Sequence, residues 1–227
     1  YQALTGLNNL TLTEDDIQLS QNITTTGNQT YSGAVTLSGT GTRTLQGNEI
    51  QFGGTVAGGG LGLTITGDLN LQGAMTNVAN LEVSGESTLA ADITTNGTQT
   101  YDQTVTLGSD VTLDSSNNDI TFGSAIIGGG GLELNVGAGT LSFGGTVGDT
   151  TALDHLTINA NTITLNHDIN TDNDQTFNGD VTLTNNVNLD ADDGAISFSG
   201  NVAGDFDFGV DAGTGAVSSG NDATGAD

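Results

Sequence analysis

The sequence contains no cysteine, proline or tryptophan, and among its 227 residues a single side chain, Arg43, is basic. Without cysteine the chain has no disulfides, no thiolate metal ligands and no thiol nucleophile. The lone cation faces 27 carboxylates, which leaves a formal net charge of -26. Because nucleic-acid binding needs Lys and Arg to displace counterions from phosphates, this charge excludes nucleic acid as a partner. It also disfavours anionic membrane surfaces.

Large apolar side chains are scarce as well. Hydrophobic residues make up 34% of the sequence and aromatic residues 4%, which is too little for a thick globular core. The apolar runs are too short to cross a bilayer, so we expect no direct membrane insertion. The chain starts at Tyr1 without a basic-apolar leader, and we expect it to be a mature fragment or an excerpt whose targeting signal lies outside it.

The sequence does contain a long internal repeat. Residues 23–37 return at 93–107 and again at 169–183, and each copy carries a Gln-Thr-aromatic segment that begins at Gln29, Gln99 or Gln175. The second interval between these glutamines is slightly longer than the first. A second cluster, Leu61–Ile65, is matched by simple alignment to Leu132–Val136 and Phe206–Val210. We therefore divide the chain into three copies, 1–72, 73–148 and 149–227, which form one domain over 1–227.

Within each copy, short apolar clusters alternate with small polar residues, as in Leu-Thr-Leu and Val-Thr-Leu, which is the period of a β-strand. The clusters recur in groups of three. This pattern predicts an all-β chain folded as a parallel β-helix, with about 11–12 coils of 18–20 residues and three short strands per coil. One repeat copy then holds about four coils, or somewhat fewer if the coils are of the longer kind. Proline would interrupt hydrogen bonding between coils, and its absence fits this fold.

The acidic turns make calcium the most reasonable inorganic partner, because calcium binds six to eight oxygen ligands. The weak calcium candidates lie in the densest acidic clusters and are Asp15, Asp16, Asp172, Asp174, Asp190, Asp192 and Asp193. The alternative is that these are solvated surface carboxylates without a bound ion. No other cofactor is expected.

Catalysis is not expected. Asn170–Asp172 and the pair Asp192 and Asp193 resemble short segments of polygalacturonase-like glycosidases, but the chain lacks the Gly-His-Gly segment and the basic segment of those enzymes. The two histidines, His155 and His167, lie next to aspartates. Structural zinc needs four ligands and the sequence has no third His or Cys, so we expect both histidines to be solvated turn residues on different stacks.

Two surface-binding alternatives have weaker support. Threonine rows such as Thr24–Thr26 are similar to those of ice-binding solenoids, but they fall on different strands rather than at one position of every coil. Carbohydrate binding by stacking needs exposed aromatic side chains. We expect Tyr31, Tyr101 and Phe177 to be buried as a family, which leaves few aromatic residues for this role.

The segment Thr25–Leu37 and its copies, together with Ile50–Phe52 and Ala152–Ile158, resembles the long repeat regions of giant secreted surface proteins of Gram-negative bacteria, the filamentous-haemagglutinin-like family. The resemblance covers nearly the whole chain. It implies a right-handed parallel β-helical shaft, exported across the outer membrane and used in adhesion, biofilm or matrix. It implies no catalytic residues.

These observations lead to a functional expectation. The chain is expected to be a structural shaft module of an extracellular or bacterial cell-surface adhesin or fibre. Its expected partners are neighbouring repeats of a larger protein or further copies of itself, joined end to end into filaments, and a glycan or a host or cell surface as the target of adhesion. The alternative is a calcium- or carbohydrate-binding module on one face of the β-helix.

Overall fold

The computed structural model describes residues 4–220, and their regular structure is entirely β. No helix in this range is long and apolar enough to cross a membrane. The strands, numbered in chain order, are β1(Leu4–Leu7), β2(Leu10–Leu12), β3(Asp16–Leu19), β4(Ile23–Thr25), β5(Gln29–Tyr31), β6(Ala34–Leu37), β7(Arg43–Phe52), β8(Val56–Ala57), β9(Leu63–Leu71), β10(Met75–Val78), β11(Leu81–Val83), β12(Ser87–Leu89), β13(Ile93–Thr95), β14(Gln99–Tyr101), β15(Val105–Leu107), β16(Val111–Asp114), β17(Ile120–Phe122), β18(Ile126–Ile127), β19(Leu132–Gly137), β20(Leu141–Phe143), β21(Leu156–Leu165), β22(Ile169–Asn170), β23(Gln175–Leu183), β24(Val187–Asp190), β25(Ile196–Phe198), β26(Val202–Ala203), β27(Phe208–Asp211) and β28(Val217–Ser219).

Alternating burial explains why these segments form strands. In β11, Leu81 and Val83 are buried while Glu82 is exposed, and in most of the three-residue strands the two outer residues are buried while the middle one is half-buried or exposed. The inward residues form one continuous apolar core along the chain. In residues 4–220 the strand pairings are all parallel, and strands away from the two ends pair with one about a coil earlier and one about a coil later. The predicted parallel β-helix is therefore confirmed.

Each coil contributes three strand positions, and the register links them into three ladders that run the length of the solenoid. One ladder starts at Leu4 and passes through Tyr101, a second starts at Leu10 and passes through Gln29, and a third starts at Ile17 and passes through Phe177. About 11 turns are stacked in this way. At roughly 4.8 Å per coil, ten steps span about 48 Å.

The sequence repeat does not contain a whole number of coils. From Gln29 to Gln99 the chain passes eleven strand positions, and it passes eleven again from Gln99 to Gln175. At three positions per coil, one copy makes three and two-thirds coils, close to the four predicted. The three glutamines consequently lie on three different ladders, so each copy is rotated by two-thirds of a turn from the one before.

Coil length varies in the turns rather than in the strands. Leu63 pairs with Leu81, whereas Leu132 at the equivalent level pairs with Leu156, so the second of these coils is six residues longer. The predicted coil length therefore describes the shorter coils. The equivalence of Leu132 and Leu63 follows from their preceding partners, Val111 and Arg43. The simple alignment of Leu132 with Leu61 was wrong by two positions, because it ignored the different lengths of the preceding turns.

The repeated Gln-Thr-aromatic segment is an interior structure. Gln29 is fully buried, and its Nε2 donates to the carbonyl of Gln46 at 2.7 Å while its Oε1 accepts from the Tyr31 hydroxyl at 2.7 Å. Gln99 repeats the arrangement with Tyr101 at 2.9 Å. The aromatic residues stack on those of the next coil, with ring centroids 5.3 Å apart for Tyr31 and Phe52. Tyr31, Tyr101 and Phe177 are all fully buried, as predicted.

The only basic residue is also inside. Arg43 is 6% exposed and occupies the position of Val111 in the second copy. Five residues separate Leu37 from Arg43, whereas three separate Leu107 from Val111, so the turn of the first copy is two residues longer. The guanidinium fills this longer turn by donating to the carbonyls of Ser38 and Thr40.

Candidate functional site

The acidic residues lie outside the core. In residues 4–220 no aspartate or glutamate is buried. Many of them nevertheless contribute to the fold, because an Asp or Asn side chain in one turn accepts a hydrogen bond from a backbone N–H one coil later. Thirteen side chains in the described part of the chain do this: Asn9, Asn22, Asp68, Asn80, Asp92, Asp110, Asn117, Asp119, Asp168, Asp174, Asp180, Asn186 and Asp193.

Ten of the thirteen donors lie in the turns between strands, and Thr44, Thr112 and Asn188 are the second residues of their strands. The side-chain acceptors thus supply partners to backbone donors at or next to the corners. Asp119 shows the geometry, with its Oδ1 accepting from the Thr140 N–H at 2.7 Å. The negative charge of the surface is thus in part a result of how the turns are built. Sequence reasoning treated the acids only as solvated charge or calcium ligands.

Three of the calcium candidates near the C-terminal end accept backbone hydrogen bonds, two of them from the next coil and one within its own turn. Asp174 accepts from the Ala195 N–H at 2.8 Å. Asp193 accepts from both the N–H and the hydroxyl of Thr214, and these bonds lower the pKa of its carboxyl, the backbone bond having the larger effect. Asp190 accepts from the Asp192 N–H at 3.1 Å within one turn.

The remaining candidates are exposed. Asp15 directly precedes β3 and Asp16 is its first residue, Asp172 lies in the turn after β22, and Asp192 lies in the turn after β24. Within residues 4–220, none of the seven candidates belongs to a group of three His, Asp or Glu side chains with ligand atoms within 4.8 Å of one another. Calcium at these residues stays a prediction.

One such group does occur in the described chain, and it consists of Asp110, Asp154 and His155. Asp154 Oδ2 lies 2.8 Å from His155 Nδ1, and its Oδ1 accepts from the side-chain amide of Asn173 at 2.8 Å. The hydrogen bond from His155 is the largest cause that lowers the pKa of the Asp154 carboxyl. Asp110 Oδ1 accepts from the Gly131 N–H at 2.9 Å.

Three consecutive coils build this group. Asp110 precedes Val111, Gly131 precedes Leu132, and His155 precedes Leu156, and these three strand residues are register partners. A Cβ atom on Gly131 would lie 2.0 Å from Cε1 of His155. The glycine of the middle coil therefore leaves the space in which a carboxylate and an imidazole from the coils on either side approach each other.

Sequence reasoning found His155 beside Asp154 but missed Asp110, which is two coils away along the chain. The available signal was positional, since Asp110 and His155 each stand directly before an apolar strand residue at the same corner. His155 is not simply solvated, because its side chain is hydrogen-bonded and 38% exposed. His167 lies in a different turn, before β22, as predicted.

A second surface feature is an open polar groove of about 530 Å³ along the same part of the solenoid. Asn135, Asn159 and Asn178 form a ladder in it, with Asn159 Nδ2 donating to Asn135 Oδ1 at 2.7 Å and Asn178 Nδ2 donating to Asn159 Oδ1 at 2.8 Å. No aromatic side chain lines the groove. In residues 4–220, Phe206 is the one aromatic residue that is exposed.

Comparisons with known proteins identify no relative of this chain: no family model, no curated protein and no solved structure matches it.

Proposed function

We propose that the chain is a shaft module of an extracellular or bacterial cell-surface adhesin or fibre. The observation that carries this proposal is the rotation of the repeat. A solenoid that binds an extended ligand on one face needs the same side chains on that face in successive copies. Here equivalent residues such as Gln29, Gln99 and Gln175 lie on three different ladders, so no face presents the repeat motif twice.

The end coils support an extended shaft. Four large apolar residues are exposed in the described chain, and these are Leu4, Val202, Phe206 and Val217, in the first coil or the last ones. The ladder partners of Leu4, Val202 and Val217 are buried, and these partners are Ile23, Val181 and Ile196. A further coil would cover these side chains and pair with the open strand edges, whether it came from the same polypeptide or from another copy.

The register specifies how such a junction would form. Phe208 in β27 occupies the level that Leu63 and Leu132 occupy in the earlier copies. Leu63 is followed one coil later by Leu81, the counterpart of Leu10 in the first copy. A following copy would therefore place its β2 on β27 and continue the ladders without a change of register.

A tandem chain tests the shaft. Three complete 227-residue sequences joined in one polypeptide are expected to give straight rods about 150 Å long in electron micrographs, which is three times the length of a single 227-residue chain. A flexible string of three separate particles would contradict continuous stacking.

The extracellular placement rests on the resemblance to filamentous-haemagglutinin-like repeats, and it has its own test. Antibodies raised against the chain are expected to label intact cells that produce the parent protein. Labelling that appears only after the cells are permeabilised would refute surface exposure.

The alternative of a carbohydrate-binding face is favoured by one observation, the asparagine-lined groove. Amide groups in register along Asn135, Asn159 and Asn178 offer donors and acceptors to sugar hydroxyls. Glycan-array binding by the native chain that is lost in Asn159→Ala would support this function. Equal binding by the native chain and the variant would rule out the groove.

A further inference from the structure

We propose that Asp110, Asp154 and His155 bind one divalent transition-metal ion, such as Zn²⁺, which joins three consecutive coils of the solenoid. This inference goes beyond the proposed shaft function and does not depend on it. The donor set of one imidazole and two carboxylates suits first-row divalent ions that accept both nitrogen and oxygen ligands. Water would complete the coordination.

The geometry of the adjacent pair fits chelation. Asp154 Oδ2 and His155 Nδ1 are 2.8 Å apart. Two ligand atoms that each lie about 2.1 Å from one ion are about 3.0 Å apart at the right angle of octahedral coordination and about 3.4 Å apart at the tetrahedral angle that zinc favours. A small rotation of either side chain would therefore place the pair at a chelating distance. The side-chain amide of Asn173 holds the other Asp154 oxygen, as an outer-shell partner of a metal ligand does.

The third ligand is brought in by the fold. The Asp110 carboxylate is held by the Gly131 N–H through Oδ1, and its ligand atom lies within 4.8 Å of those of Asp154 and His155. This distance is short for residues two coils apart, since two coil steps amount to about 9.6 Å. The missing side chain at Gly131 creates the space, because a Cβ there would meet the imidazole at 2.0 Å.

The corresponding corner one copy earlier provides an internal comparison. Thr42, Gly62 and Asn80 precede Arg43, Leu63 and Leu81, so a glycine again separates two side chains, but neither is a carboxylate or a histidine. The coil that ends at Leu156 is six residues longer than its counterpart that ends at Leu81. The ligand pair thus lies at the end of the coil that carries the insertion.

The strongly negative surface strengthens the argument for a cation but does not locate one, because exposed acids also attract ions non-specifically. The histidine distinguishes a specific transition-metal site from non-specific binding of cations to the acidic surface. Calcium prefers oxygen ligands and gains little from an imidazole, whereas Zn²⁺ gains a nitrogen ligand that the rest of the acidic surface does not offer.

The chain has two histidines, which supplies a matched control. Calorimetry with ZnCl₂ on the full chain, stripped beforehand with EDTA, is expected to show one saturable site in the native chain and in His167→Ala. In His155→Ala the affinity is expected to fall by at least tenfold. Asp110→Asn is expected to weaken binding too, while its side-chain oxygen still accepts the Gly131 hydrogen bond and preserves the turn.

Nuclear magnetic resonance provides a readout that does not depend on heat. The two imidazole signals are assigned from the two histidine variants, and Zn²⁺ is expected to shift the His155 signal and leave that of His167 in place. Equal zinc affinity in both histidine variants, absence of saturable zinc binding in the native chain, or a calcium site that competes equally well and is unaffected by His155→Ala would each overturn the proposal. Circular dichroism of every variant checks that the β-structure is retained.

Discussion

Replacing Phe177 with tyrosine is expected to stabilise the solenoid, because the buried Oε1 atom of Gln175 has no hydrogen-bond partner. In the other two copies the equivalent oxygen accepts from a tyrosine hydroxyl, at 2.7 Å from Tyr31 and at 2.9 Å from Tyr101. Gln175 retains the rest of the arrangement, since its Nε2 donates to the Asp190 carbonyl at 2.7 Å. Phenylalanine at position 177 therefore removes one donor and leaves the acceptor in place.

The size of the expected stabilisation follows from the cost of an unpartnered buried acceptor and from the net contribution of the hydrogen bond that would satisfy it. A buried acceptor without a partner costs about 1–3 kcal/mol, and a hydrogen bond that satisfies it contributes a net of about 1 kcal/mol. The ring needs little adjustment, because Phe177 stacks on Phe198 with centroids 5.1 Å apart, close to the 5.3 Å of Tyr31 on Phe52. We expect Phe177→Tyr to raise the free energy of unfolding by about 1 kcal/mol, or the melting temperature by about 2–4 °C in a chain of this size.

Thermal and urea unfolding followed by circular dichroism measure this change. Tyr31→Phe and Tyr101→Phe are the matched reverse substitutions, and each is expected to lower stability by a similar amount. If Phe177→Tyr is neutral or destabilising while the two reverse variants are destabilising, the third site differs from its relatives, and the account of the unpartnered Gln175 oxygen is wrong.

The same tyrosines predict an upper pH limit for the fold. Burial raises the pKa of Tyr31 and of Tyr101 well above the usual value of 10.0. The folded state therefore retains these protons more strongly than the unfolded state does. These two tyrosines cause no pH dependence of stability below pH 10, whereas above pH 10 stability falls as the tyrosines of the unfolded chain begin to ionise. Chains with both tyrosines replaced by phenylalanine are expected to lose less stability between pH 10 and 12, and an identical alkaline loss in the native chain would refute this explanation.

Three further predictions concern the turns. Arg43→Val is expected to cost about 2 kcal/mol of unfolding free energy, because the carbonyls of Ser38 and Thr40 lose a charged donor. Deleting two residues of the preceding turn together with this change is expected to restore stability, and unfolding curves of both variants show whether the arginine compensates for the longer turn. Gly33→Ala is expected to cost about 1–3 kcal/mol, since its Cβ would lie 1.9 Å from the carbonyl oxygen of Glu14, whereas Gly129→Ala, with open space, is expected to be nearly neutral by the same measurement. Asp119→Ala is expected to cost about 1 kcal/mol through loss of the hydrogen bond from Thr140, and Asp119→Asn much less, so equal melting temperatures for these two variants would show that the bond contributes nothing.

The fold was predictable because it depends on patterns that are local and repeated. Alternation in segments such as Leu81–Val83 identifies strands, and the recurrence of Gln29 at Gln99 and Gln175 identifies a solenoid. Strand spacing alone does not decide the direction of pairing, because antiparallel hairpins need even shorter connections. The long period and the three short strands per coil favour parallel stacking over a sandwich of longer strands joined by hairpins. The inward direction of the aromatic residues was predictable from the same alternation.

The contacts between coils were less accessible from the sequence. The distance along the chain between Asp110 and His155 depends on the lengths of two coils, and the longer one departs from the average by several residues. The hydrogen bond from the Thr140 N–H to Asp119 was equally hard to predict from the sequence. An Asp in a turn can be a solvated charge, a calcium ligand or an acceptor for the next coil. Register decides among these, and register is set by turn lengths that the repeat does not conserve.

The rotation of the copies shows which quantity the repeat does preserve. The interval from Gln99 to Gln175 is six residues longer than the interval from Gln29 to Gln99, yet both contain eleven strand positions. The difference equals the six extra residues of the coil that ends at Leu156, while smaller differences in other turns cancel. Turns thus absorb changes of length without altering the stack, whereas loss of one strand would rotate everything after it by a third of a turn and place apolar ladders against the wrong neighbours.

Because each copy advances by two-thirds of a turn, three copies complete eleven whole coils, and a fourth would return to the face on which the first began. A long array built in this way distributes its turns, charges and insertions around the axis, which suits a shaft better than a flat binding surface.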